Sequence, residues 1–160
     1  MGYAHPVDPN FLPTGLSRET EIRRDAQGRW FNGPDPIDHP NVVAAFNGWI
    51  ERADDGRLCL RNDLGWAYFS LEGPAYYVEA VHEQEGELLL QLSGARTELL
   101  RPSSLSMDEE GRLGCLVLGG SLYAEFRSHA AVQLGEWIEV RGEQAVFSFG
   151  DITLPLGQIA

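Results

Sequence analysis

The 160-residue chain has no lysine, only two cysteines and no long apolar run, and each shortage closes off a class of function. Its positive charge comes from twelve arginines set against twenty-four acidic residues, a net charge of −12. A field of that sign repels a phosphate backbone and an anionic lipid surface, so neither nucleic acid nor membrane is an expected partner. Apolar runs such as Cys115–Leu118 fall far short of the roughly 20 residues needed to span a bilayer. The first residues, Met1 to Pro9, have neither a basic start nor an apolar core, so no secretory signal is expected and a cytoplasmic location follows. Gly2 does not complete a myristoylation motif, because Pro6 stands where a hydroxyl residue is required. Cys59 and Cys115 lack C-x-x-C spacing and read as two reduced, buried thiols rather than zinc or redox residues. His5, His39, His82 and His129 are scattered, with no pair at i, i+4, so no metal site is expected. No Walker or dinucleotide fingerprint is present, and no cofactor is expected.

What is there fits a folded domain. Hydrophobic residues make up 43% and charged residues 22%, which excludes wholesale disorder. Residues 1–19 hold Pro6, Pro9, Pro13 and Gly15 without periodicity and read as an extended N-terminal arm. A hairpin follows at Ile22–Phe31, turning through Asp25-Ala-Gln-Gly28. Asp38-His39-Pro40 opens a helix, with Asp38 as the expected N-cap. Val42, Val43, Phe46, Trp49 and Ile50 give that helix one apolar face, and it should end near Gly56.

From Arg57 to Leu100 the period changes to two, the signature of an antiparallel meander. A second hairpin is expected around Asp108-Glu-Glu-Gly111. A second helix should open at Gly119-Gly120-Ser121 and run through Leu122, Phe126, Ala130, Leu134 and Trp137. A closing hairpin turns at Gly150-Asp151. Of the adjacent Tyr76 and Tyr77, one must point outward, because neighbours on a strand face opposite ways.

Two stretches echo each other. Asp25 to Trp30 matches Asp108 to Leu113 at an offset of 83, and Trp49-Ile50-Glu51 matches Trp137-Ile138-Glu139 at an offset of 88. The order hairpin, helix, Trp-Ile-Glu, strand predicts an α+β fold of two similar hairpin-helix-strand motifs on a mainly antiparallel framework. Residues 20–100 then form the first repeat unit plus the meander and residues 101–160 the second, packed with the arm as one globular domain.

Gly28-Arg-Trp-Phe31, Pro36-Ile37, the helix leading into Asp55-Gly56, Gly73-Pro74-Ala75-Tyr76 and the ending Phe147 to Gly157 resemble the bacterial family called domain of unknown function 1285. Leu100 to Leu105 and Gly111 to Leu113 are also similar to uncharacterised protein family 0598, although Leu113-Gly-Cys115 stands where that family tends to have a Tyr-His pair. No site built on that pair carries over. The first resemblance implies an α+β fold of two similar motifs and a regulatory or signalling role.

The candidate sites are few. Gly119, Gly120 and Ser121, if they open a helix, would present bare amides to a small anionic ligand, with Arg127 as auxiliary charge. Ser121 does not stand in a G-x-S-x-G elbow, since Tyr123 replaces the final glycine. Asp38 and His39 could form an acid-base pair. No catalytic residue is assigned, and the favoured function is a non-catalytic small-molecule-binding or regulatory domain. The alternatives are an enzyme using Asp38 and His39, or a structural or partner-binding subunit, a homo-oligomer included.

Overall fold

Short strands joined by glycine turns build both units into which the chain divides, Met1–Gly73 and Pro74–Ala160. The computed structural model describes residues 8–158, so the first seven residues of the expected arm lie outside the described residues. The expected boundary at residue 100 falls inside the second unit.

The first unit runs β1 (Ile22–Arg24), β2 (Trp30–Asn32), β3 (Asp35–Ile37), α1 (Pro40–Gly48), β4 (Ile50–Arg52), β5 (Leu58–Arg61), β6 (Trp66–Tyr68) and β7 (Ser70–Leu71). One sheet has the order β3-β2-β1-β7 and a second the order β4-β5-β6. The turn Asp25–Gly28 forms as expected, because Gly28 takes a φ of 83° that other residues rarely adopt. Trp30 is buried, with Phe46 edge-on at 5.2 Å and Phe69 stacked at 5.5 Å. Its indole N–H donates to Asn47 Oδ1 at 3.0 Å, and the buried Arg24 Nη1 donates to the same oxygen at 2.9 Å. A core in which polar atoms converge on one acceptor needs that acceptor in place.

The second unit runs β8 (Tyr76–Gln84), β9 (Glu87–Leu92), β10 (Thr97–Leu99), β11 (Ser106–Met107), β12 (Leu113–Val117), β13 (Leu122–Phe126), α2 (Ser128–Leu134), β14 (Ile138–Arg141), β15 (Gln144–Phe149), β16 (Ile152–Pro155) and β17 (Gly157–Gln158). Its large sheet has the order β10-β9-β8-β13-β12-β11-β17, and β14-β15-β16 form a smaller one. The large sheet curls, so that Glu98 of β10 accepts the Leu118 amide at the end of β12 at 2.9 Å. Tyr76, Val78, Leu90, Leu92, Leu122 and Ala124 are buried in its core. A register shift between Val78 and Ala80 interrupts the β8 ladder. Gln133 of α2 accepts the Val81 amide there at 2.7 Å, which joins helix to sheet.

The α+β class and the largely antiparallel pairing stand, with three parallel pairs among the described residues, β1 to β7, β11 to β17 and β13 to β8. Several expectations are corrected. The first helix stops at Gly48 rather than near Gly56, and Trp49 is its C-cap; Ile50 is fully buried and pairs with Leu60 as a strand. His39, not Asp38, is the N-cap, its Nδ1 accepting the Asn41 amide at 3.2 Å. The second helix does not open at Ser121. Residues 118–121 are a hairpin turn, Leu122–Phe126 is a strand, and the helix begins at Ser128. The sequence there satisfies both periods, and the strand prevails because β12 and β8 flank it on both sides. The expected meander is likewise divided, β5 and β6 joining β4 while β8 and β9 enter the large sheet.

Each unit holds a three-stranded antiparallel sheet and a short parallel strand pair. In the first, Glu51, Cys59 and Tyr68 form one cross-strand row and Arg23 pairs in parallel with Ser70. In the second, Glu139, Val146 and Pro155 form the row and Ser106 pairs in parallel with Gly157.

Candidate groove in the second unit

A groove of about 670 Å³ opens in the second unit between the β11–β12 turn, the β14–β15 hairpin and β17. The two-residue strand β11 leaves Met107 and the turn that follows it on one side, while the tight turn at Gly142, φ 68°, brings Glu143 and Gln144 back opposite. Met107, Val140, Ala145 and Leu156 supply its apolar wall, and Val140 is 73% exposed. Asp108, Glu109 and Glu143 line the rim.

Asp108 is already engaged. Its Oδ1 accepts the amides of Glu110 and Arg112 at 3.0 and 2.8 Å, and its Oδ2 meets the Arg112 guanidinium at 2.6 Å. That guanidinium, with the backbone amides, holds the Asp108 carboxyl below its ordinary range. Arg112 also pairs with Glu110. Glu109 and Glu143 have no arginine against them among the described residues, so the rim faces solvent with negative charge. The groove lining contains no serine, cysteine, histidine or lysine. Such a surface can hold a ligand by apolar contact and charge.

The residues singled out in the sequence do not meet there. Gly119, Gly120 and Ser121 sit in the hairpin turn, where Ser121 Oγ donates to the Leu118 carbonyl at 2.6 Å. The helix start on which their anion-binding reading rested lies instead at Ser128, a helix of seven residues. Arg127 precedes it and lays its guanidinium over the outward-facing Tyr77 at 3.8 Å, while Tyr76 is fully buried. Asp38 and His39 belong to the first unit, and the His39 nitrogen that would face an orienting carboxylate is the one that caps α1.

Both cysteines are free and buried, as expected. Burial, with the nearby Glu98 charge adding to it, pushes the Cys115 thiol up to about 12, so it is no nucleophile. Among the described residues no group of three or more potential ligands could hold a metal ion, and no helix is long and apolar enough to cross a membrane. The groove itself was not legible in the sequence, since its walls come from three separate stretches, residues 107–109, 140–145 and 156–158, that carry no shared motif.

No family model and no curated protein matches the chain. Two solved structures do. A DUF1285 family protein from Silicibacter pomeroyi DSS-3 superposes with a TM-score of 0.64 at 16% identity, over 87% of this chain and 80% of that one. A DUF1285 family protein from Shewanella baltica OS155 superposes with a TM-score of 0.52 at 14% identity, over 70% of this chain and 87% of that one. These matches do not bear on the similarity to family 0598.

Proposed function

From a chain whose fold is that of DUF1285 family proteins, we propose a non-catalytic binding domain with a regulatory role, whose ligand is a small organic cation seated in the groove of the second unit. The carrying observation is the groove itself: an apolar wall of Met107, Val140, Ala145 and Leu156 beneath the unmatched carboxylates of Glu109 and Glu143. Residues 74–160 hold thirteen acidic side chains against five arginines, so the surrounding field favours a cation as well. The anionic ligand expected from Gly119, Gly120, Ser121 and Arg127 has no helix terminus to receive it. The acid-base alternative loses support because Asp38 and His39 do not line the groove.

The same reading takes the two units as copies of one motif. In its favour, Arg23 to Ser70 and Ser106 to Gly157 are corresponding parallel pairs, and Trp49 and Trp137 each stand between a helix and the strand that follows. The Phe69 amide donates to the Leu58 carbonyl as the Leu156 amide donates to that of Ala145. A superposition of residues 21–71 on 105–156 that left Trp49 and Trp137 on different faces would remove this part of the reading.

Thermal shift of the full chain tests the ligand class, because binding to the folded state raises apparent stability by mass action. Agmatine, choline and spermidine form one panel, citrate and adenosine monophosphate another. A rise in Tm with a member of the cationic panel that shrinks in a Glu109→Gln/Glu143→Gln variant supports the reading. A rise with the anions alone, or with neither panel, overturns it.

A further inference from the structure

The small sheet β4-β5-β6 of the first unit carries a cluster that its fold does not require. Arg57 lies over the Tyr68 ring at 3.6 Å, Arg61 over the Trp66 ring at 5.2 Å, and Arg61 and Trp66 are directly opposed across β5 and β6. The second unit builds the corresponding sheet without any of these groups. With Glu139, Val146 and Pro155 in register as Glu51, Cys59 and Tyr68 are, Gln144 stands at the place of Arg57, Ser148 at Arg61, Thr153 at Trp66 and Pro155 at Tyr68. Two guanidinium groups, two rings and an outward amide are therefore additions to this sheet rather than conditions for forming it.

The outward edge is what differs most. Strand β6 is an edge strand, and the Tyr68 amide points away from β5, because the Phe69 amide beside it points toward Leu58. At the corresponding edge position Pro155 has no N–H, a common way to keep an edge from pairing. In the first unit the edge is paired, but by the chain's own residues 18–20. The Tyr68 amide donates to the Arg18 carbonyl at 2.8 Å, and Thr20 Oγ1 donates to the Tyr68 carbonyl at 2.6 Å. Glu19 receives both terminal nitrogens of Arg57 at 2.6 and 2.8 Å. Arg18 covers Trp66 at 3.9 Å and donates to the Trp66 and Asn10 carbonyls.

This covering segment adds almost no apolar burial. Phe11, Leu12 and Leu16 are 67%, 39% and 62% exposed, so polar contacts hold it, and exposed ion pairs contribute little each. One donor beneath it is left over: the buried Trp66 Nε1 has no hydrogen-bond partner. The carboxylates nearby are occupied, Asp55 by the Tyr68 hydroxyl at 2.7 Å and Glu51 beside Arg61 at 3.8 Å.

The geometry points to a recognition site for an extended acidic peptide segment of a partner protein on the β6 edge, for which Arg18–Thr20 is the internal stand-in. The incoming main chain takes over the pairing with Tyr68, its carboxylate takes the place of Glu19 on Arg57, and a further acceptor can reach the Trp66 indole. Strand addition at an edge supplies affinity through the main chain and selectivity through the flanking side chains.

A fluorescein-labelled synthetic peptide copying residues 15–22 is the probe, used with the full chain and read by fluorescence anisotropy. The tethered segment competes at high effective concentration, so the natural chain should bind the peptide weakly. An Arg18→Ala/Glu19→Ala variant should bind it about fivefold more tightly, the scale set by losing exposed polar contacts. Adding Arg57→Gln, or using the peptide with Glu19→Gln, should reverse the gain. A folded Arg18→Ala/Glu19→Ala variant that binds no better, or a gain indifferent to Arg57→Gln and to the peptide carboxylate, overturns the proposal. Where that variant does not fold, the natural chain is titrated by NMR with millimolar peptide. Shifts of the Tyr68 amide and Trp66 indole N–H then support the site, and unmoved resonances overturn it.

Discussion

Asp25 and Asp108, 83 residues apart in the sequence, hold their turns with the same bonds. Each Oδ1 accepts the amides two and four residues on, and each Oδ2 meets the guanidinium of the following arginine, Arg29 at 2.8 Å and Arg112 at 2.6 Å. Each amide also donates to the carbonyl of that arginine, at 2.9 and 3.0 Å.

Both carboxyls accordingly titrate below their ordinary value of 3.8. Burial pushes Asp25 up, but the Arg29 amide and guanidinium outweigh it; for Asp108 the Arg112 guanidinium leads. Because the folded state holds the ionised form, their contribution is complete above about pH 4 and is lost as pH falls through the lower folded values. Asp25→Ala and Asp108→Ala should each lower Tm at pH 7, with the loss shrinking toward pH 2. Asn at either position, which retains an acceptor oxygen, should cost less. Melting curves at pH 7 and pH 2 check both, and equal losses at the two pH values would contradict the turn geometry.

Asn47 Oδ1 serves two buried donors, Arg24 Nη1 and Trp30 Nε1. Replacing Asn47 with Leu removes this shared acceptor and leaves the buried Trp30 indole N–H unsatisfied, at about 1–3 kcal/mol. Urea unfolding should show a loss of that order or greater, while Asn47→Asp, which keeps the oxygen, should fold better than the Leu variant.

Gly114 has no unusual φ, yet a methyl group there would run into the ring of Tyr123. Gly114→Ala should destabilise by about 1–3 kcal/mol, the usual range for overpacking. The close approach rather than the glycine backbone is the cause, so in a Tyr123→Ser background the same substitution should cost much less. A double-mutant cycle by urea denaturation measures the difference.

Cys59 and Cys115 should resist a thiol reagent such as 5,5′-dithiobis(2-nitrobenzoic acid) at pH 8 and both react once guanidinium unfolds the chain. Burial raises both thiols, Cys115 to about 12 against an unfolded value of 9.0. The folded state therefore keeps the proton that the unfolded state releases. That part of stability is complete below pH 9 and falls as pH rises toward 12. Cys115→Ala should flatten the alkaline limb of the stability profile.

Local chemistry was sufficient for the parts of this protein that close on themselves. The turns Asp25–Gly28 and Asp108–Gly111 were legible because Asp acceptors and left-handed glycines act within four residues, and the start of α1 because Pro40 suits a first turn, although His39 rather than Asp38 caps it. The buried, unpaired thiols of Cys59 and Cys115 were legible as well. Tertiary structure decided what depends on distant partners. Leu122, Ala124 and Phe126 are spaced for a strand, while Leu122, Phe126, Ala130 and Leu134 are spaced for a helix. The outcome was set by Tyr76–Val78, some 50 residues earlier, pairing in parallel with Ala124–Phe126. The groove is of the same kind, since Met107, Val140 and Leu156 share no spacing and meet only through β11, the β14–β15 hairpin and β17. Edge pairing and groove walls rest on hydrogen bonds and contacts between remote segments, which leave no period in either one alone.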